Sequence, residues 1–182
     1  SSWRETRYCA NLSEDECGKI LEELETRTAA THVERVNCEL RLFDNTVYHG
    51  SYSGYRVNGE PQGYGRFEEA EGEFFYAGGW ENGKASGYGV VEKETGERYE
   101  GGFLNGLREG EGVFTWANGD CYEGSFSEDL FSGKGVYTWA DGSRYAGDFL
   151  EGKFEGQGVQ EWADGKRYEG GFANDRREGY GG

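Results

Sequence analysis

The sequence predicts a mainly β protein: an elongated, twisted antiparallel sheet of tandem β-hairpins behind a short α-helical N-terminal cap. Three observations lead there. Tyr76, Tyr99, Tyr122, Tyr145 and Tyr168 recur every 23 residues. The composition is rich in rings and bare backbone, with 13 Tyr, 11 Phe, 5 Trp and 33 Gly among 182 residues. Turn pairs such as Asn105-Gly106 divide each period into two alternating runs. Equal spacings with matched interiors are the mark of a repeat architecture.

Each tyrosine opens a related run, YAGGW, YEGGF, YEGSF, YAGDF and YEGGF in turn. Two further glycines follow eleven and thirteen residues after it, as at Gly110 and Gly112. In residues 99–121, alternation puts Tyr99, Gly101 and Phe103 on one strand face. Asn105-Gly106 then reverses the chain, because both residues tolerate positive φ. Gly110, Gly112, Phe114 and Trp116 share a face of the returning strand, with Glu111, Val113 and Thr115 opposite. Ala117-Asn118-Gly119-Asp120 makes the next turn.

The pairing of residue types has a physical reason. A ring lies flat only over backbone that carries no side chain, so each aromatic needs a neighbouring glycine. Glycine weakens a strand by roughly 0.5–1 kcal/mol relative to Ala. Ring burial, worth roughly 1.5–3 kcal/mol per large apolar side chain, must offset that loss. One hairpin alone is marginal, and stacking in series gives the rings neighbours.

The repeats divide the chain into a head, 1–47, and a hairpin solenoid, 48–182, with copies starting near 48, 76, 99, 122, 145 and 168. Only Gly18 among the glycines precedes residue 48. The copy from Tyr48 is irregular, with five extra residues before Tyr76. The last copy breaks off mid-repeat, so further repeats or another domain are expected to follow. Ser127-Glu128-Asp129 replaces the usual Asn-Gly, which predicts a different tip there. Val91, Lys93 and Gln160 interrupt the aromatic strip and leave 99–144 as its richest part.

In the head, Ser13-Glu14-Asp15-Glu16 reads as a capping box, with Cys17, Ile20, Leu21 and Leu24 on one helical face. It predicts a helix of about 10–14 residues. Residues 26–34 read as a loop. Residues 35–43 alternate Val36, Cys38, Leu40 and Leu42, a strand turning at Asp44-Asn45 onto the strand at Tyr48. The head is expected to cap the first sheet edge, the alternative being a docking element for a partner.

The formal net charge is -16. An acidic surface repels phosphate backbones and anionic headgroups, which argues against nucleic acid and makes any membrane contact indirect. A basic or amphipathic protein segment is the favoured partner, and exposed sheet ends allow a homodimer. His32 and His49 are isolated, and Cys9, Cys17, Cys38 and Cys121 are irregularly spaced, so no metal site is expected. The thiols read as reduced and intracellular, with a Cys9–Cys38 or Cys17–Cys38 bridge as the alternative. No apolar run approaches the roughly 20 residues that span a bilayer. The expected setting is intracellular: cytoplasmic, cytoskeletal or membrane-associated, or an organelle reached with a targeting peptide since removed.

No catalytic residue and no cofactor are expected. Carboxylates at repeat spacing, such as Glu100, Glu123 and Glu169, read as a solvated face. Gly63-x-Gly65 recurs in every copy with no helix behind it, unlike a phosphate loop. Arg98, Arg144 and Arg167, with Glu100, Ala146 and Glu169 two residues on, read as surface ion-pair rows or as a patch orienting a charged partner. Arg176-Arg177 is too small for a lipid patch.

The runs YEGGFLNGLREGEGVFTWANGDC and YEGSFSEDLFSGKGVYTWADGSR resemble MORN (membrane occupation and recognition nexus) repeats, closely over 76–182 and loosely over 48–75. The resemblance implies a sheet with an open groove along one face. It also implies a scaffold for protein–protein contact, with membrane or phospholipid tethering, or regulation of a catalytic domain elsewhere, as alternatives; a structural subunit of a larger assembly is a further reading. The candidate groove residues are Tyr99, Phe103, Phe114, Trp116, Tyr122, Phe126, Tyr137 and Trp139. Each could instead hold the sheet together, a role the tyrosines suit best.

Overall fold

The computed structural model describes residues 30–178. These form thirteen strands in one open, twisted antiparallel sheet, each paired with its neighbours in chain order. They are β1 (Thr31–Leu40), β2 (Tyr48–Val57), β3 (Glu60–Glu69), β4 (Phe74–Glu81), β5 (Lys84–Lys93), β6 (Arg98–Leu104) and β7 (Leu107–Thr115). Then come β8 (Cys121–Ser127), β9 (Leu130–Thr138), β10 (Arg144–Leu150), β11 (Lys153–Glu161), β12 (Arg167–Ala173) and β13 (Arg176–Glu178). The expected helix from near Glu14, and Cys9 and Cys17, lie outside the described residues. Among the described residues, Cys38 and Cys121 form no disulfide.

Alternation and glycine placement give the sheet its interior. The repeat tyrosine folds along its own strand and donates its hydroxyl to the carbonyl three residues on. Tyr99 donates to Gly102 O at 2.8 Å, Tyr122 to Ser125 O at 2.7 Å and Tyr145 to Asp148 O at 2.8 Å. The ring covers a cross-strand glycine pair such as Gly101 and Gly112. A Cβ on Gly112 would lie 2.6 Å from the Tyr99 ring, so the ring needs this bare backbone.

The same geometry corrects the phase of the first copy. Tyr52 donates to Tyr55 O at 2.7 Å and is fully buried. It stands 24 residues before Tyr76, so this copy starts at Tyr52 and is one residue longer than the rest. Tyr48 instead packs edge-on against Phe74, with ring centroids 5.2 Å apart.

The tips inside the six copies follow one pattern. Asn105 and Gly106 have φ of 49° and 82°, and Glu128 and Asp129 have 48° and 70°. Two consecutive positive φ values define a type I′ turn. The different tip expected at Glu128-Asp129 is therefore not found. Asp accepts the left-handed region more readily than most residues, and Asp129 gains a further bond. Its Oδ1 accepts from the Arg108 N–H at 2.7 Å, one hairpin earlier. Asp175 Oδ1 accepts in the same way from the Phe154 N–H at 2.8 Å.

The head departs further from expectation. β1 pairs with β2 from Thr31↔Arg56 to Leu40↔Tyr48, so residues 31–34 are strand and not loop. The strand stops at Leu40, not Phe43, and no tight turn forms at Asp44-Asn45. Residues 41–47 leave the ladder and cross the aromatic face as a strap. Leu42 is fully buried, and its carbonyl accepts from the Ala85 N–H at 2.9 Å. Lys84 Nζ donates to Arg41 O and Asp44 O, both at 3.4 Å. Phe43 packs on Phe74, Tyr76 and Phe103 at centroid distances of 5.8, 5.9 and 6.1 Å.

The side chain at position 85 explains why the strap lies there. In later copies the equivalent residues are Phe131 and Phe154, which stack on Tyr122 and Tyr145 at 3.9 Å. Ala85 supplies no ring to cover Tyr76, and the strap fills that space.

Burial of the tyrosines sets the alkaline limit of the fold. Removal from water raises the phenols of Tyr52, Tyr76, Tyr99 and Tyr122 well above their ordinary value, and that of Tyr145 to about 12. A folded pKa above the unfolded one means stability is intact below about pH 10 and falls as pH rises through the folded values. In an alkaline titration, part of the phenolate absorbance should therefore appear only together with loss of the β circular dichroism signal. Complete phenolate formation near pH 10 with the sheet intact would contradict this.

Candidate interaction groove

The aromatic face has two layers. The inner layer includes Tyr99, Phe103, Tyr122 and Phe126, at 2%, 5%, 0% and 2% exposure. Their rings meet edge to face. Tyr99 touches Phe103 and the next copy's Phe126 at 5.1 Å, and Tyr122 touches Phe126 at 5.1 Å and Phe149 at 5.0 Å. This geometry favours aromatic pairs beyond simple area burial. These four predicted groove residues thus bind copy to copy and offer little surface outward.

The outer layer holds the other four, Phe114, Trp116, Tyr137 and Trp139, all half-buried. They form a continuous ladder. Phe114–Trp116, Trp116–Tyr137 and Tyr137–Trp139 lie at 4.5, 5.2 and 4.8 Å. The structure adds Phe131, Phe154 and Trp162, which the sequence reading did not select. Phe131 meets Trp116 at 5.8 Å, and Phe154 meets Trp139 at 5.9 Å. For Phe131 and Phe154 the available signal was the ninth residue after each repeat tyrosine, where Ala85, Arg108, Phe131 and Phe154 stand in phase; Trp162 stands seventeen residues after Tyr145, as Trp116 and Trp139 do after Tyr99 and Tyr122.

Polar groups fix these rings. Asp120 accepts from the Tyr137 hydroxyl at 2.8 Å and from the Ala140 N–H at 2.8 Å. The tyrosine bond, more than the backbone one, holds the Asp120 carboxyl below its usual range. Burial first, and Asp120 second, push the Tyr137 phenol up. Arg108 lies over Tyr99, Phe114 and Phe126 at 5.8, 5.2 and 5.3 Å and is anchored by Asp129 at 3.1 Å. Arg177 lies over Trp162 and Tyr168 at 5.4 and 5.5 Å.

The predicted charge rows are pairs within strands. Arg98 meets Glu100 at 2.6 Å, and Arg167 meets Glu169 at 2.7 Å. Each also reaches across one strand, to Glu92 at 3.7 Å and to Glu161 at 3.6 Å. Ala146 breaks the row at Arg144. Exposed pairs of this kind contribute roughly 0–1 kcal/mol. His49 faces Glu39 at 3.3 Å, and His32 lies edge-on to Tyr55 at 5.1 Å, both on the first hairpin and away from the ladder. Among the described residues, no group of three or more His, Cys, Asp or Glu is placed to hold a metal ion.

Stacked hairpins with ring-over-glycine interiors and uniform tips define a β-hairpin repeat protein. The MORN repeat model matches residues 52–68, 76–98, 99–121, 122–144, 145–167 and 168–181, and the chain belongs to the MORN-repeat family. The first match begins at Tyr52, the phase set by the tyrosine hydroxyl. MORN repeats are generally repeats of protein and membrane interaction, and the repeat type is non-catalytic. A comparison with curated proteins finds no match.

Proposed function

We propose that this chain is a non-catalytic scaffold that binds a partner protein along the outer aromatic ladder from Phe114 to Trp162. One observation carries the reading. The same face over Tyr76 is covered by the chain's own strap, whereas the ladder beyond it leaves large rings half in solvent. Aromatic residues are enriched at the buried centres of protein interfaces. The acidic surroundings, at a formal net charge of -16, favour a basic or amphipathic segment.

The test is a Trp116→Ala/Trp139→Ala double variant compared with the parent chain in crosslinking and affinity capture. Circular dichroism first establishes that both fold. Central aromatic anchors cost about 2 kcal/mol or more each when truncated, so capture should fall by well over tenfold. Equal capture by the folded variant would remove the ladder from the interface. Flotation with anionic liposomes, undiminished in the variant, would move the reading to membrane tethering.

A further inference from the structure

The strap shows how a foreign backbone can seat on this sheet. At each tip the N–H of the second tip residue donates to the carbonyl of the ninth residue of the copy before. Gly106 donates to Ala85 O at 2.8 Å, Asp129 to Arg108 O at 3.0 Å, Gly152 to Phe131 O at 2.9 Å and Asp175 to Phe154 O at 3.1 Å. The N–H of that ninth residue points to the same tip and needs its own acceptor. Pro61 has no N–H. Arg108 and Phe154 donate to the carboxylates of Asp129 and Asp175.

Ala85 is different, because its tip residue is Gly106. The acceptor there is the strap carbonyl of Leu42. A Cβ on Gly106 would lie 2.7 Å from Phe43 Cα, so the strap backbone runs through the volume that an Asp side chain takes at the other tips. Strap backbone and Asp carboxylate are thus alternative solutions to one requirement.

Phe131 has neither solution, since it faces Gly152, which has no side chain. A cavity of about 250 Å³ opens at this tip, lined by Phe114, Trp116 and Phe131, by Arg108 with its partner Asp129, and by Leu130 and Gly152. Leu130, 46% exposed, stands where Lys84 holds the strap. A Cβ at Gly152 would meet only Leu130 Cδ2, at 3.9 Å, so the place is open.

We infer that this cavity is a docking point for an extended segment of the partner protein. One partner carbonyl accepts from the Phe131 N–H, the backbone passes over Gly152, and a Leu or Phe side chain lies on Phe114, Trp116 and Leu130. Glu128 and Glu151 at the two adjoining tips select basic residues beside the apolar one. The assignment rests on the groove reading above and narrows it to one chemistry, a strap-like apolar pair flanked by Lys or Arg.

The probe is a capped peptide, Lys-Leu-Arg-Leu-Phe-Lys-Asn, copying residues 39–45 with lysine in place of the two acids. Titrated into the isotope-labelled chain, it should shift the Phe131 and Gly152 amides and the Trp116 indole and reach saturation. In Gly152→Asp the new carboxylate takes the Phe131 N–H, as Asp129 and Asp175 do at φ of 70° and 67°, so the sheet remains folded. Peptide affinity should then fall at least about tenfold. The added negative charge alone would strengthen binding of this basic peptide, so a loss reports the occupied donor and the blocked backbone path. No shift at Phe131 and Gly152, or equal affinity in Gly152→Asp, overturns the inference. If Trp116→Ala/Trp139→Ala abolishes partner capture while Gly152→Asp does not, the ladder reading stands and this docking point falls.

Discussion

Gly135→Ala is expected to destabilise the protein by about 3 kcal/mol, the upper end of what overpacking costs. Its Cβ would lie 2.6 Å from both Cε2 and the hydroxyl of Tyr122. The ring has nowhere to retreat. Its hydroxyl is bonded to Ser125 O at 2.7 Å, Phe131 stacks on it at 3.9 Å, and Phe126 and Phe149 abut it at 5.1 and 5.0 Å. Gly135 does not need a positive φ, so the loss measures steric overlap alone. Tyr122→Ala should cost about 3–5 kcal/mol as a large-to-small core change. The double variant should be little worse than Tyr122→Ala, because the ring that Gly135 accommodates is gone. Urea unfolding of the set checks this, and additive losses would mean that Gly135 serves something other than the ring.

Gly106→Ala should cost about 3 kcal/mol more than Gly83→Ala. Both glycines occupy the second tip position, at φ of 82° and 76°, so both substitutions carry the same backbone strain. A Cβ on Gly83 meets nothing within 4 Å, whereas one on Gly106 overlaps the Phe43 backbone. The difference therefore isolates ejection of the strap, which exposes the fully buried Leu42 and uncovers Tyr76. Burial of a large apolar side chain is worth roughly 1.5–3 kcal/mol, and Leu42 and Phe43 both contribute. Proteolysis after Arg41 should accelerate in Gly106→Ala only. Equal losses in the two variants would show that the strap adds no stability where it lies.

Most of what is encoded within one repeat was legible in the sequence, the ninth-position rings Phe131 and Phe154 excepted. The tyrosine spacing, the paired glycines and the turn residues recur with a short period, and each acts on strands adjacent in the chain. Features that depend on what stands opposite were not. Val91, Lys93 and Gln160 do interrupt the aromatic strip, yet Phe43 and Phe154 arrive from other positions to cover the neighbouring tyrosines. The tip at Glu128-Asp129 looked deviant because it lacks glycine. Its side chain answers a backbone N–H one hairpin away, a need visible only once the tips are stacked.

The division between sequence and tertiary structure follows from the range of the forces involved. The sequence by itself determined the hairpin sheet, the glycine-and-ring face and the acidic exterior, because alternation, turn conformation and charge are local properties. Tertiary structure decided which rings are interior and which line the groove, because that depends on how successive copies overlap. It also decided that residues 41–47 leave the strand and cross the face. Residues 41–43 continue the alternation of the strand, and the segment departs because Ala85, 43 positions after Leu42, leaves a buried tyrosine uncovered and a backbone donor in need of a carbonyl.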